Sequence, residues 1–236
     1  MTVQVLAIIP ARGGSKGIPR KNLVRFRGEP LVAHSIRHAL ESRRVTRTIV
    51  STEDDEIAAV ARKAGAEVPF LRPEELAGDT VLDLPVFEHV LNRLDESEGY
   101  RPAIVVHLRP TAPHRVPAWI DRAVESLEAC EAADSVRSVS PPSQHPYRMF
   151  RVADDGFLKP LMQAEHPAPY VLRRQELPEL WYYNCVLDVT RSETILGQHS
   201  MTGNRIVPFR MDESEVLDID GPRDLQIAHA LFGERP

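Results

Sequence analysis

The sequence is poor in cysteine and has no long apolar run, and each absence excludes a class of protein. Its two cysteines, Cys130 and Cys185, lack the spacing of metal ligands, and no apolar run approaches the length of a membrane-spanning helix. The first residues lack the charged leader and cleavage site of a secretory signal. The formal net charge is −5, and the basic residues do not form the stripe typical of nucleic-acid-binding surfaces. We therefore predict a reduced, cytoplasmic protein that binds neither membranes nor nucleic acids.

Acidic residues are absent from the N-terminal segment, where the first carboxylate is that of Glu29. An apolar run at 5–9 ends at Pro10 and leads into a loop that contains glycine, serine and the cations Arg12, Lys16, Arg20 and Lys21. Glycine lets backbone N–H groups approach an anion closely, and arginine and lysine add positive charge. A buried strand that leads into such a loop predicts a phosphate-binding site.

This cationic loop (residues 11–22) is neither of the two common nucleotide-binding loops. A Walker A loop requires G-x-x-x-x-G-K-[ST], but Gly17 follows Gly13 too early and Ile18 stands at the position of the lysine. The G-x-G-x-x-G pattern of dinucleotide-binding folds is also absent. The loop therefore argues against a P-loop ATPase and indicates another class of phosphate-binding protein.

Apolar runs of strand length alternate with helical patterns along most of the chain. We predict strands at 3–9, 46–51, 67–70, 103–108, 135–140 and 183–189. We predict helices at 31–41, from a cap at 52–55 to 64, and at 82–94, 118–129, 192–197 and 221–231. Such alternation is typical of an α/β fold with a mostly parallel sheet covered by helices on both faces. Ligands bind such sheets beyond the carboxyl ends of the strands, where the cationic loop lies, and the length fits a single domain over 1–236.

The pattern changes at about 141–180, a proline-rich stretch with short extended pieces at 147–152 and 156–161. Loops of this length in compact domains are usually functional or disordered. We predict an insertion that projects from the main body and carries aromatic contact residues, and a long surface loop is the alternative.

Asp218 and Asp220 lie two residues apart in an extended segment, so that their side chains would share a face. Two hard oxygen ligands suit Mg²⁺, which retains several waters and takes further ligands from substrate phosphates. We therefore predict a magnesium site. An alternative, compatible with the first, is that Asp220 caps the helix that begins at 221.

The motif A-R-G-G-S-K-G-x-P-x-K-N resembles the signature loop of sugar nucleotidyltransferases, and within that group it looks most like the acylneuraminate cytidylyltransferases (CMP-sialic acid synthetases). Further segments resemble the family in the same order along the chain: STEDDEIAAVARKAGAEV, LRPEELAGDT, RPTAPHR and DIDGPRDLQ. The resemblance implies a Rossmann-like, three-layer α/β/α nucleotidyltransferase fold of the glycosyltransferase-A type. It also implies a homodimer in which the insertion at about 141–180 leans over the partner's active site.

The resemblance implies roles for individual residues. Triphosphate binding and catalysis are implied for Arg12, Lys16 and Lys21, and metal binding for Asp218 and Asp220. Further nucleotide contacts are implied for Ala11, Gly13, Gly14, Ser15, Asn22, Arg72 and Asp83. Acceptor contacts are implied for Arg109, Thr111, Arg174, Gln175 and Asn184, of which Arg174 would act across the dimer.

Departures from the family pattern lie around the base and the sugar. Arg109 replaces the usual glutamine, Asp83 stands where a small hydroxyl residue is common, and Cys185 replaces a glycine. These changes leave the transfer chemistry intact and bear on substrate identity. An arginine at position 109 favours an anionic acceptor group.

Together these features predict a Mg²⁺-dependent enzyme that forms a CMP-activated acidic sugar from CTP and a free nonulosonic acid, with release of pyrophosphate. One alternative is a related transferase that uses GTP with a sugar 1-phosphate, or CTP with 3-deoxy-manno-octulosonic acid. Another is a non-catalytic nucleotide-binding module, which would not need the acidic pair.

Overall fold

The computed structural model describes residues 3–162 and 168–232. The strands are β1 (Val5–Pro10), β2 (Arg25–Phe26), β3 (Glu29–Pro30), β4 (Arg47–Ser51), β5 (Ile104–His107), β6 (Ser135–Ser140), β7 (Phe150–Val152), β8 (Leu158–Pro160), β9 (Tyr182–Arg191) and β10 (Ile206–Arg210). The helices are α1 (Leu31–Glu41), α2 (Asp55–Lys63), α3 (Asp83–Glu98), α4 (Pro117–Ala129), α5 (Ser192–Gln198) and α6 (Pro222–Phe232). Short 3-10 helices cover Lys21–Leu23, Glu74–Leu76, Pro146–Arg148, Pro169–Val171, Arg174–Glu176 and Glu213–Glu215. Among the described helices, none combines the length and the apolarity needed to cross a membrane.

A six-stranded sheet in the order β10-β6-β9-β5-β1-β4 forms the centre of the fold. β9 runs antiparallel to its neighbours β5 and β6, and the other pairings are parallel. Parallel neighbours need crossover connections, which are usually helices, and this explains the alternating pattern of the sequence. The predicted α/β architecture with a mostly parallel sheet is confirmed.

The central strand β1 is buried on both faces. Val5, Ala7 and Ile9 belong to one core cluster, and Leu6 and Ile8 belong to the cluster on the opposite face. Burial on both faces requires a continuous apolar run. After β1 the chain leaves the sheet, so the cationic loop begins at the carboxyl edge, as predicted.

Helix α2 has the N-terminal cap that the sequence predicts. The Asp54 carboxylate accepts a hydrogen bond from the N–H of Ile57 at 2.9 Å. The same carboxylate lies 2.7 Å from the Arg20 guanidinium. The cap therefore also ties the cationic loop to the segment that follows β4.

The strand β9 contains a bulge. Its pairing with β6 changes register between Arg137, which faces Asp188, and Val139, which faces Tyr183. Within the bulge, Cys185 has a φ of 61°. Bulges redirect side chains and are common beside active sites, and this one turns Cys185 into the cleft described below.

Two strand predictions need correction. The prediction of a strand at 67–70 is wrong: within it only Glu67 bridges to β4, at Ile49, because Pro69 has no N–H to donate to a ladder. The edge strand β10, which pairs with β6, was not predicted. Its short apolar run at 206–209 contains Pro208, which strands tolerate mainly at sheet edges, and most of its side chains are at least partly exposed.

The proline-rich segment 141–180 adds no strand to the main sheet in the part that the structure describes. In its described residues it holds the separate hairpin β7–β8 and several 3-10 helices, while 163–167 lie outside the described residues. The side chains of β7 are exposed, which agrees with a projecting insertion. The single-domain assignment stays a prediction.

Candidate active site

A cleft of about 370 Å³ opens at the carboxyl edge of the sheet, beyond β1 and β5. Its walls come from segments that are far apart in the sequence. The lining residues are Pro10, Arg12, Gly14, Ser15, Lys21, Asn22, Arg72, Leu76, Gly78, Asp79, Val81, Leu82, Asp83, Val86, Arg109, Pro110, Thr111, Cys185, Asp218 and Asp220. The fold therefore brings most of the predicted site residues to one place.

Two residues of the cationic loop line the cleft and have backbone donors that are unpaired within the described chain. The N–H groups of Gly14 and Ser15 have no hydrogen-bond partner among the described residues. The N–H of Gly13, in contrast, donates to the Glu53 carboxylate at 2.7 Å. Of the predicted backbone contacts Gly13, Gly14 and Ser15, only Gly14 and Ser15 therefore line the cleft with N–H groups that are unpaired in the described part of the chain.

The Asp79 carboxylate, which the sequence analysis did not single out, holds two of the predicted phosphate ligands. Arg12 Nη1 lies 2.8 Å from Asp79 Oδ1, and Lys16 Nζ lies 2.7 Å from Asp79 Oδ2. Asn22 supports the same loop, because its Nδ2 donates to the Arg12 carbonyl at 2.8 Å. Exposed ion pairs add little stability, and the Lys16 side chain is 81% exposed. An anionic ligand can therefore replace Asp79 as the partner of these cations.

Asp218 and Asp220 both line the cleft, although their segment is not part of a strand. Asp220 Oδ1 lies 3.2 Å from Lys21 Nζ. Asp218 Oδ1 is buried and has no hydrogen-bond partner among the described residues. Burial raises the pKa of Asp218, and the charge of Asp220 raises it further, against the hydrogen bond with Thr111, which lowers it.

This acidic pair fits a magnesium ion that arrives with a phosphate ligand. An orphaned carboxylate oxygen beside a second carboxylate offers hard ligands, and Mg²⁺ completes its octahedron with water and phosphate oxygens. Across residues 3–162 and 168–232 there is no cluster of three or more His, Cys, Asp or Glu that would enclose a metal on its own. The alternative role of Asp220 as a helix cap is taken by another residue. The Asp224 carboxylate accepts hydrogen bonds from the N–H groups of Asp220 and Gly221 at 3.0 and 2.8 Å.

Two backbone contacts fix the acidic segment in place. A Cβ on Gly17 would lie 2.4 Å from the carbonyl oxygen of Asp220, so only glycine permits this approach of the loop. The N–H of Ile219 donates to the Thr111 carbonyl at 2.8 Å. The loop, the acidic segment and residues 109–115 are therefore held together independently of the side-chain charges.

Arg72 supplies a buried guanidinium without a carboxylate partner among the described residues. Its Nε donates to the Ser51 hydroxyl at 3.1 Å, and its Nη groups donate to carbonyl oxygens. Burial lowers the pKa of Arg72. A buried cation at the cleft wall favours a hydrogen bond to an oxygen atom of a molecule bound in the cleft.

Both Nη groups of Arg109 are engaged by carboxylates. Nη2 lies 3.0 Å from Asp83 Oδ2, and Nη1 lies 2.9 Å from Asp188 Oδ2. The buried Asp188 also accepts from Arg137 Nε at 2.8 Å and from the Tyr183 hydroxyl at 2.6 Å. Burial would lower the pKa of Arg109, but the carboxylates of Asp188 and Asp83 outweigh it and the pKa is raised. An anionic group of the acceptor would have to compete with Asp83 and Asp188 for the Arg109 guanidinium.

Arg115 is buried beside the segment that carries Arg109, and no sequence signal singled it out. It donates to the Val186 carbonyl at 2.6 Å, to the Ser35 hydroxyl at 3.0 Å and to the Arg109 carbonyl at 2.6 Å. Burial, with a contribution from the charge of Arg109, lowers the pKa of Arg115 to about 9. The side chain ties the β9 bulge and α1 to the segment that carries Arg109.

Other predicted residues lie outside the cleft. Ala11 is buried, and the Asn184 side chain is buried where it accepts from the Ser138 hydroxyl at 2.6 Å. Arg174 and Gln175 are exposed on a 3-10 helix of the insertion. Within one chain these residues do not line the cleft.

The family of the chain follows from comparison with known proteins. Residues 6–171 match a family model described as cytidylyltransferase. The chain belongs to the cytidylyltransferase family. The CMP-N,N'-diacetyllegionaminic acid synthase of Legionella pneumophila is 33% identical over 98% of this chain and 97% of that protein. The N-acylneuraminate cytidylyltransferase of Escherichia coli is 30% identical over 97% of this chain and 52% of that protein.

A solved structure shares the fold of this cytidylyltransferase. CMP:2-keto-3-deoxy-manno-octonic acid synthetase complexed with CTP matches with a TM-score of 0.72 and 16% identity, over 98% of this chain and 99% of that chain. The predicted family and nucleotidyltransferase fold are confirmed, and the chain is a nucleotidyltransferase enzyme.

Cys185 lines the cleft of this cytidylyltransferase in an unfavourable backbone conformation. Its φ of 61° lies in the left-handed region, which costs a residue with a Cβ roughly 1–2 kcal/mol. Burial raises the pKa of the Cys185 thiol, and this disfavours the reactive thiolate. Cys185 therefore contributes to the shape of the cleft, and its raised pKa argues against a nucleophilic role.

The left-handed backbone at Cys185 predicts that glycine is more stabilising than alanine at this position, the reverse of the usual order. Cys185→Gly should have a higher free energy of unfolding than Cys185→Ala by about 1 kcal/mol, because glycine adopts positive φ without strain. Both variants lack the thiol, so the comparison isolates the backbone. Urea unfolding of the two variants measures the difference, and an alanine variant at least as stable as the glycine variant would contradict the assignment.

The buried Asp218 predicts a conflict between stability and activity. Because its pKa is raised in the folded state, the ligand-free protein gains stability as pH falls through that pKa and loses it as pH rises. Asp218→Asn should therefore raise the melting temperature at neutral pH and remove this pH dependence, while turnover falls at least about 100-fold.

The matched control is Asp220→Asn, which removes an exposed carboxylate. It should also lose turnover but leave the melting temperature nearly unchanged. Thermal unfolding between pH 4 and 8, together with a turnover assay, tests both variants. A destabilised Asp218→Asn with wild-type turnover would refute this account of the acidic pair.

Proposed function

We propose that the protein transfers CMP from CTP to the anomeric hydroxyl of an acidic nonulosonic sugar and releases pyrophosphate. The observation that carries the proposal is the cleft in which the cationic loop faces the acidic pair, with Lys21 Nζ 3.2 Å from Asp220 Oδ1. A nucleoside triphosphate requires cations for its phosphates and carboxylates for its metal, and this cleft offers both. The names of the relatives support CTP and an acidic sugar as the substrates.

In this proposal the cationic loop binds the triphosphate. The free N–H groups of Gly14 and Ser15 donate to phosphate oxygens, and Arg12, Lys16 and Lys21 neutralise the charge that develops on the α-phosphate and on departing pyrophosphate. The sugar hydroxyl attacks the α-phosphorus, the bond to the β-phosphate oxygen breaks, and pyrophosphate leaves. Positioning and electrostatics are most of what such a transfer requires of a protein.

Asp218 and Asp220 would hold the Mg²⁺ ion in this proposal. When bound, the metal supplies Lewis-acid polarisation and charge neutralisation at the phosphates. Lys21 pairs with the Asp220 carboxylate in the ligand-free protein. Burial raises the pKa of Asp218, and a bound cation would offset the cost of burying its charged carboxylate.

The acceptor is proposed to bind on the side of the cleft lined by Pro110, Thr111 and Cys185. Both Nη groups of Arg109 are occupied, so further cations must recognise the acid. Arg174 and Gln175 are exposed on the insertion and would reach an acceptor only from a second subunit.

We therefore also propose a homodimer that forms through the insertion. Its described residues expose a group of large apolar side chains: Met149, Phe150, Val152, Phe157, Leu158 and Leu161. An exposed apolar group of this kind is typical of an interaction surface.

Both cysteines are free, which is consistent with the proposed cytoplasmic location.

A pyrophosphate-release assay tests the proposed reaction. CTP, GTP, ATP and UTP would each be supplied with Mg²⁺ against nonulosonic acids, 3-deoxy-manno-octulosonic acid and sugar 1-phosphates. We expect release with CTP and a nonulosonic acid. Release with another pair only would reassign the substrates, and triphosphate binding without release across the panel would favour a non-catalytic module.

The dimer proposal predicts that charge on the hairpin separates the subunits. Phe157→Glu combined with Val152→Glu should convert a dimer to a monomer and lower turnover, because each site loses the partner's insertion. The control Ile227→Glu places the same charge at an exposed position on α6 and should remain dimeric. Light scattering after size exclusion measures the mass, and a wild-type monomer with full turnover would contradict the proposal.

A further inference from the structure

Two departures from the family pattern touch each other in the cleft. Asp83 stands where a small hydroxyl residue is common and Arg109 where glutamine is usual, and the two are far apart in the sequence. In the structure Asp83 Oδ2 lies 3.0 Å from Arg109 Nη2. The two residues therefore act as one feature of this cleft, a carboxylate paired with the cation that holds it.

Arg109 is held by contacts to both its side chain and its carbonyl, so it can hold Asp83 in one orientation. Its other Nη group pairs with the buried Asp188 at 2.9 Å. Its carbonyl accepts from Arg115 at 2.6 Å and from the Ser35 hydroxyl at 3.1 Å. A guanidinium held by two carboxylates offers a fixed direction to Asp83 and little free charge to a substrate.

Asp83 still has one oxygen for a ligand. Oδ1 has no hydrogen-bond partner among the described residues, and the side chain is 43% exposed to the cleft. Asp83 is the first residue of α3, and a helix N-terminus stabilises an anion. The arrangement presents a fixed group that accepts hydrogen bonds and cannot donate them.

The cleft wall around Asp83 carries apolar side chains, against which a heterocycle can pack. The segment before and within the first turn of α3 contributes the apolar side chains Leu76, Val81, Leu82 and Val86. The buried Arg72 lines the same wall and only donates. Apolar side chains beside one donor-only and one acceptor-only group can discriminate bases by the donors and acceptors on their edges.

Cytosine and uracil differ at such an edge. Cytosine presents an exocyclic amino donor where uracil presents a carbonyl, and carboxylates are suitable acceptors for that amino group. A carbonyl oxygen at the same place would face the Asp83 carboxylate without a hydrogen between them.

We propose that Asp83 selects the base by accepting a hydrogen bond from the exocyclic amino group of cytosine, and that Arg109 is a positioning residue that fixes Asp83. This inference rests on the proposed use of CTP. It assigns the arginine at position 109 to base selection and removes it from the acceptor-binding role that the sequence predicts.

The test is the ratio of kcat/KM for CTP to that for UTP, with binding of each nucleotide measured by calorimetry. Asp83→Asn should lower the ratio by about 10- to 100-fold. Its amide oxygen would turn to the donor-only Arg109, so that its NH₂ group would face the base and favour a carbonyl. Asp79→Asn is the matched control, because it removes another ion-paired carboxylate of the cleft and should leave the ratio unchanged.

Arg109→Gln tests the positioning role through a double-substitution cycle. Alone it should lower the ratio, because Asp83 loses its fixed direction. Added to Asp83→Asn it should lower the ratio no further, because the amide is then no longer held with its NH₂ group toward the base. A merely structural role would lower kcat/KM equally for both nucleotides. Melting temperatures show whether Arg109→Gln is folded, and if it is not, Asp83→Asn alone still decides the role of Asp83.

The outcomes separate this inference from the proposed function. No CTP-dependent turnover or binding by the wild-type protein would refute the proposed function. A wild-type protein that prefers CTP, with an unchanged ratio in Asp83→Asn, would overturn the base-reading role alone. A changed ratio in Asp83→Asn with an unchanged ratio in a folded Arg109→Gln would overturn the positioning role.

Discussion

The contact between the cationic loop and the acidic segment holds the two halves of the site together. Lys21 and Asp220 are 199 positions apart in the chain, yet their side chains touch and the Gly17 backbone lies against the Asp220 carbonyl. The sheet makes this possible, because β1 ends beside β5 and the segment after β5 anchors Ile219. Cations and carboxylates are therefore presented together, as the proposed triphosphate and metal site requires.

Burial decides which ion pairs in the cleft are permanent. Arg12 and Lys16 meet Asp79 at the surface, where an ion pair contributes little and phosphate oxygens can take the place of the carboxylate. Asp188, in contrast, is 2% exposed and holds Arg109 and Arg137. Removing one partner of a buried pair leaves an uncompensated charge, so such pairs stay intact. The exposed pairs are suited to exchange with substrate, and the buried pairs fix the shape of the cleft.

Local sequence signals predict the parts of the fold that depend on local physics. The buried run of β1, the cap at Asp54 and the helix at 31–41 follow from burial, hydrogen bonding and helical periodicity, and the structure has a strand, a cap and a helix in these places. The segment 67–70 fails because a single proline outweighs its apolar pattern. The Asp83–Arg109 pair could not be predicted, since it depends on how α3 and the segment after β5 approach each other. The one available signal was Asp188, a carboxylate within the apolar stretch 185–189 of β9.

The most direct test of the central claim is calorimetric titration of the protein with CTP in the presence of Mg²⁺ and in the presence of a chelator. If the loop and the acidic pair form one triphosphate site, CTP should bind much more tightly with Mg²⁺. Asp218→Asn should lose this dependence on the metal. Equal affinity in both conditions would show that the acidic pair does not act with the loop, and would contradict the account.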